Sequence, residues 1–187
     1  MSVRDVVAIG DPVLRRRARE LSLQGIASPQ IQRLIDDLID TKRAVHGAGL
    51  AANQLGEALR VAVVEVEEGN PRYPYKPPVP LTVMINPTIE PLGDEMVEIN
   101  ESCLSVADLR GNLQRHLAIR VRYLDRLGRE RDELKRGLTA GTFQHEVDHL
   151  DGILFVDRAD PRTFATWEQF DRHQREEFVR RVAELES

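Results

Sequence analysis

The chain has 187 residues, 41% of them hydrophobic and 30% charged, which is the make-up of one ordinary globular domain spanning 1–187. Its net charge of −5 argues against a surface built for nucleic acid, and no apolar run is long enough for a membrane span or a signal peptide. Cys103 is the only cysteine, so no internal disulfide is possible, and a reducing cytoplasm is the expected setting.

Asp11 and Pro12 resemble a cap and a first-turn proline, so a short helix is predicted over 11–20, with Arg15, Arg16 and Arg17 on a solvated face. A longer helix is predicted from Ser28 to about His46. Ser28 supplies an N-cap, Pro29 the first turn, and Gly47 a stop. Ile31, Leu34, Ile35, Leu38, Ile39 and Val45 recur at helical spacing and should face the core. The run Gly47-Ala48-Gly49-Leu50-Ala51-Ala52-Asn53-Gln54 follows. Its small residues suit a tight turn, and they would also allow close approach of another backbone. Gln54 offers an amide that can donate to a carbonyl oxygen.

Leu59–Val66 is a β-branched strand, and residues 67–80, with five prolines, form an irregular loop. Strands are expected at Leu81–Asn86, stopped by Pro87, and at Glu95–Asn100, leading into Glu101-Ser102-Cys103-Leu104-Ser105. Ala118–Leu124 alternates, turns at Asp125–Gly128 and returns toward Leu134. A helix beginning near Leu138 carries His145-Glu146-Val147-Asp148-His149, and a last helix is expected over about 161–185, with Trp167, Phe170, Phe178, Val182 and Leu185 inward. The predicted class is α+β: short antiparallel strands around a central metal-binding H-E-x-x-H helix, with a C-terminal helix.

The H-E-x-x-H pattern carries the chemistry. Residues four apart on a helix share a face, so His145 and His149 can hold one metal ion, and Glu146 can move a proton beside it. A catalytic site of this kind needs a third protein ligand. By residue type and distance along the chain, Cys103, Glu168 and His173 all qualify.

Three stretches stand together: GAGLAANQ at 47–54, ESCLS at 101–105 and QHEVDHLDG at 144–152. In order and spacing they resemble the signature motifs of the peptide deformylases, G-x-G-L-A-A-x-Q, E-G-C-L-S and Q-H-E-x-D-H-L-x-G. Asp11-Pro12-Val13-Leu14-Arg15 and the strand order extend the likeness through most of residues 5–158. The one departure inside a motif is Ser102, where the family has glycine.

The resemblance implies a metal-dependent hydrolase that removes the formyl group from the N-terminal formylmethionine of newly made polypeptides, releasing formate. It implies one divalent ion on Cys103, His145 and His149, Fe²⁺ in the native state, with Zn²⁺ or Ni²⁺ able to substitute. Glu146 would carry the proton. Gln54 and the backbone N–H of Leu104 would hold the oxyanion, while Gly49, Ser102 and Arg110 would lie along the peptide. Arg115 and Asp148 would pair behind the ligand helix. Gly141 and Thr142, small residues one turn before His145, suggest a roomy methionine pocket. If residues 101–105 are extended, Ser102 points away from the metal and toward the peptide groove, where its side chain would crowd the substrate strand or offer it a rival hydrogen bond. The resemblance also implies a transient ribosome contact through the C-terminal helix, against which residues 166–187 carry more acidic than basic side chains. Two rivals stand beside this reading: a zinc peptidase with Glu168 as third ligand, and a deformylase-like protein that binds without turnover.

Overall fold

The computed structural model describes residues 2–185. Its framework is an antiparallel five-stranded sheet of β1 (Gly49–Ala51), β2 (Val61–Val66), β3 (Val79–Pro91), β6 (Ala118–Leu124) and β7 (Glu130–Arg136), in the order β1-β2-β3-β6-β7. A separate hairpin pairs β4 (Met96–Cys103) with β5 (Val106–His116). The helices are α1 (Leu23–Ile26), α2 (Pro29–Ala44), α3 (Gly137–Leu150), α4 (Trp167–His173) and α5 (Arg175–Leu185). Among the described residues, no helix is long and apolar enough to cross a membrane.

Strand β2 explains how the layers form, because helices cover both of its faces. Val61 and Val63 pack with Ile31, Leu34, Ile35 and Leu38 of α2. Ala62 and Val64 alternate to the other side and join Ala140, Phe143 and Leu150 of α3. Helix α2 starts where its cap chemistry directs, with Ser28 Oγ accepting from the Ile31 N–H at 3.3 Å. The ligand-bearing α3 is thus seated on the sheet by an apolar face, and its fixed position is what places the histidines.

The α+β class with antiparallel strands stands as expected, and four local expectations are corrected. The segment 11–20 forms a single 3-10 turn, Pro12–Arg15, because Arg19 is drawn into an extended bridge with Leu59. Pro87 does not stop β3. The register shifts between Ile85 and Thr88, so the proline sits at an irregularity where no ladder N–H is needed. Strand β5 was not anticipated. The last helix is broken, because Ala165 pairs with Arg110 of β5 and a capped helix begins only after Thr166.

Candidate metal centre and its cavity

The end of β4 and the middle of α3 bring three ligand atoms together. Cys103 Sγ lies 3.2 Å from His149 Nε2, which lies 3.2 Å from His145 Nε2. All three donor atoms fall within 4.8 Å of one another. Because β4 is extended, Glu101 and Cys103 share a face, and Glu101 meets the ligand helix as well. His145 Nδ1 donates to Glu101 Oε2 at 2.8 Å, leaving Nε2 for the cluster. Arg115 grips the same carboxylate through two bonds of 2.8 and 3.0 Å and reaches Asp148 at 2.5 Å. The result is a charged relay from Asp148 through Arg115 and Glu101 to His145. Arg115 and Asp148 pair as anticipated; the intervening Glu101 was not assigned.

The electrostatics suit a cation. Burial alone would raise the Cys103 thiol, yet His149 and His145 beside it bring it well below the usual thiol range. Burial would lower His145, and its bonds to Cys103 and Glu101 instead lift it well above an ordinary histidine. One thiolate facing two imidazoles is the donor set that zinc and ferrous iron take.

Glu146 points into the same cavity. It is buried, its Oε2 has no hydrogen-bond partner among the described residues, and burial pushes its carboxyl upward. Gly49 faces it across a gap so narrow that a Cβ there would fall 2.3 Å from Glu146 Oε1. Space for the carboxylate therefore requires glycine at position 49. Gln54 is held in place, with Oε1 accepting from the Ala51 N–H at 2.9 Å and Nε2 donating to Ser105 Oγ at 3.1 Å, 3.6 Å from Cys103 Sγ. Leu104 opens the two-residue turn between Cys103 and Val106, so its N–H takes no part in the β4–β5 ladder. The N-terminal strap joins both segments, Val7 N–H bonding Gln54 O at 2.9 Å and Ile9 N–H bonding Ser105 O at 2.7 Å.

Residues 3–165 match the polypeptide deformylase family. A peptide deformylase 2 from Nostoc sp. is 43% identical over 155 residues, covering 83% of this chain and 85% of the relative. A peptide deformylase from Leptospira biflexa is 40% identical, covering 84% and 88%. The crystal structure of the class I type b peptide deformylase from Acinetobacter baumannii with Met-Ala-Ser bound superposes with a TM-score of 0.80 at 38% identity, covering 84% of this chain and 98% of that one.

The chain belongs to the peptide deformylase family. The peptidase alternative loses its basis, since Glu168 lies on the surface of α4 and pairs with Arg172 at 2.8 Å. His173 is likewise exposed near the end of α4.

The remaining residues singled out in the deformylase motifs line the cavity beside the cluster. Ser102 alternates away from Cys103, and its Oγ lies 3.2 Å from the Tyr73 hydroxyl. Arg110 is 1% exposed, clamped between the rings of Trp167 and Phe170 at 4.1 and 4.0 Å, with Nε donating to Asn100 Oδ1 at 2.7 Å. Gly141 and Thr142 both line this cavity. The position of a Gly141 Cβ is already taken by Ile99 Cδ1, which would lie 2.6 Å from it, and Lys76 reaches Thr142 Oγ1 at 2.7 Å. The cavity beside them measures about 40 Å³. Tyr73, Tyr75, Lys76 and Phe178 complete its outer wall. Sequence reasoning missed all four, because the proline-rich loop and the C-terminal helix carry no motif.

Proposed function

We propose that this enzyme deformylates N-formylmethionyl nascent peptides with Cys103, His145 and His149 holding one divalent ion, iron(II) in the native state, with zinc or nickel as substitutes. The observation that carries the reading is the convergence of a thiolate and two imidazoles beside a buried carboxylate that lacks a partner. Such an ion supplies Lewis acidity, polarising a carbonyl and acidifying water. Glu146 takes the proton released when water attacks the formyl carbon and returns it to the departing amine, a task suited to a carboxyl whose pKa is raised by burial. Gln54 Nε2 and the Leu104 N–H stabilise the oxygen on which negative charge develops. Gly49, Ser102 and Arg110 line the path of the peptide. The Acinetobacter relative was crystallised with Met-Ala-Ser, a deformylated peptide of this kind, which supports the same substrate class here. The cytoplasm as setting and a transient ribosome contact through α4 and α5 are finer parts of the proposal, with no membrane and no specific nucleic-acid partner.

The test is formate release from formyl-Met-Ala-Ser by anaerobically prepared, iron-loaded protein, beside its Glu146→Gln variant. The variant should keep its metal and lose about 10²–10⁴-fold in kcat. Wild-type-like turnover in the variant overturns the proton-carrier role. No turnover by the fully metal-loaded parent would leave a binding protein.

A further inference from the structure

Behind the cavity at the cluster lies a second one. It measures about 370 Å³ and sits between the face of the β4–β5 hairpin that carries Glu98, Asn100 and Asn112 and the last two helices. Arg162, Glu177 and Arg181 give it a polar rim. Of the described residues, only Asn100 and Phe178 line both cavities, so these two side chains form the partition. Asn100 is fixed by hydrogen bonds: Arg110 Nε donates to its Oδ1 at 2.7 Å, and its Nδ2 donates to Asn112 Oδ1 at 2.6 Å. Phe178 is held by packing alone. Its ring is 4% exposed and meets the rings of Tyr75 and Phe170 edge-on, with centroids 5.2 and 5.8 Å away. The residue belongs to α5, past the end of the family match at residue 165.

The first cavity is elongated, and Phe178 stands at its far end. Cys103 and Ile99 share one face of β4, four residues or ~13 Å apart. His145 and Leu138 are seven residues apart on α3, ~10 Å along its axis. The cluster marks one end and Ile99 with Leu138 the other, where Phe178 packs in one apolar group with both. With the formyl carbon at the cluster, as the proposed function requires and on which this assignment depends, the first side chain points down this length. The methyl end of an extended methionine lies six bonds from that carbon, roughly 7–8 Å by covalent lengths. It arrives within van der Waals range of the far end and goes no further. We propose that Phe178 is the end wall of the pocket, limiting the first side chain to about the length of methionine. Remove the ring, and the second cavity receives a longer unbranched chain. A close-packed aromatic edge makes a firm stop, because extra methylenes enter such packing only at the cost of strain.

The experiment measures formate release from formyl-Met-Ala-Ser, formyl-norleucyl-Ala-Ser and formyl-2-aminooctanoyl-Ala-Ser. It uses the full-length, metal-loaded parent with Phe178→Ala, Phe178→Leu and Val182→Ala. The parent should treat the methionyl and norleucyl peptides alike. It should cleave the aminooctanoyl peptide, two methylenes longer than the norleucyl one, at least about tenfold less well in kcat/KM. Phe178→Ala should raise the aminooctanoyl-to-norleucyl ratio by about tenfold or more, what burying two methylenes contributes. Phe178→Leu should raise it less, and it carries the test if the alanine variant does not fold. Val182→Ala loosens the same apolar group from a position that lines neither cavity, so its ratio should stay that of the parent. Kd values for the product peptides norleucyl-Ala-Ser and aminooctanoyl-Ala-Ser should shift in the same sense, a reading that does not depend on turnover. A parent that accepts both lengths equally overturns the proposal, as does an unchanged ratio in the folded Phe178 variants. An equal rise in Val182→Ala overturns it too, since looseness of the helix and not the ring would then set the length. Failure to release formate from any peptide would strike at the deformylase reading itself, while the Kd ratio would still decide whether Phe178 is the wall.

Discussion

The two walls of the cavity are built differently. On the inner wall, Cys103, His145 and Glu146 sit on β4 and α3, braced by the Asp148–Arg115–Glu101 relay and by Asn53, which donates to His149 O at 2.6 Å. The outer wall is the loop around Tyr73, Tyr75 and Lys76 with the C-terminal helices. It is held by ring edges and single bonds, such as Tyr75 against Phe178 at 5.2 Å and Tyr73 to Ser102 at 3.2 Å. Multiple charged bonds fix an atom's position far better than one neutral bond does. The inner wall therefore sets the chemistry, and the outer wall decides what reaches it. The family match ends at residue 165, so α4 and α5, which supply Trp167 and Phe178, lie beyond it.

The largest effect is expected from breaking the inner wall at its ligand. Cys103→Ala removes the only thiolate, so metal content should fall to background and formate release should vanish. Glu168→Ala should leave both unchanged. Metal analysis after desalting decides it, and a fully loaded Cys103→Ala protein would refute the ligand set.

A step further out, Glu101→Gln keeps the size of the side chain and removes the charge shared by Arg115 and His145. Loss of an outer-shell partner of this kind costs about 10–100-fold in metal affinity. Competition with a chelator measures it. Unchanged affinity would mean that the position of His145 is set by α3 alone.

Phe178→Ala tests the outer wall. The ring is 4% exposed and packs with Val97, Ile99, Leu138 and Phe170. Its loss should cost up to about 3–5 kcal/mol of stability. Metal content should hold, while KM for peptides rises more than kcat falls. A loss of metal would show that the two walls are not separable.

The same division explains what could be read from the sequence. Helix α2 was legible because its cap, its proline and its apolar period all agree. The Cys103–His145–His149 cluster was legible because two of its members lie one turn apart and the third sits inside a motif. Strand β5 was not, because the side chains it buries include Arg110 and Arg115, whose partners Asn100 and Glu101 are on β4. A strand that buries arginines shows no apolar alternation. Lys76 gave no signal either. Only folding sets it against Thr142, 66 residues away.

Ser102 is the residue through which the walls touch, and replacing it should have the smallest effect. From sequence alone, a serine in place of the family's glycine crowds the peptide groove, so Ser102→Gly would raise kcat/KM. The structure gives the hydroxyl another occupation, since it bonds Tyr73 and steadies the loop that carries Lys76. Glycine at 102 should therefore lower kcat/KM for formyl-Met-Ala-Ser modestly. One hydrogen bond is worth about 0.5–1.5 kcal/mol net, which is at most about tenfold. Metal content should stay constant, because the side chain alternates away from Cys103. Tyr73→Phe removes the same bond from the other side, so the double variant should be no worse than either single one. Additive losses would mean that serine and tyrosine act separately on the peptide. A rise in kcat/KM for Ser102→Gly would restore the crowding explanation and leave the outer wall without its anchor to the inner one.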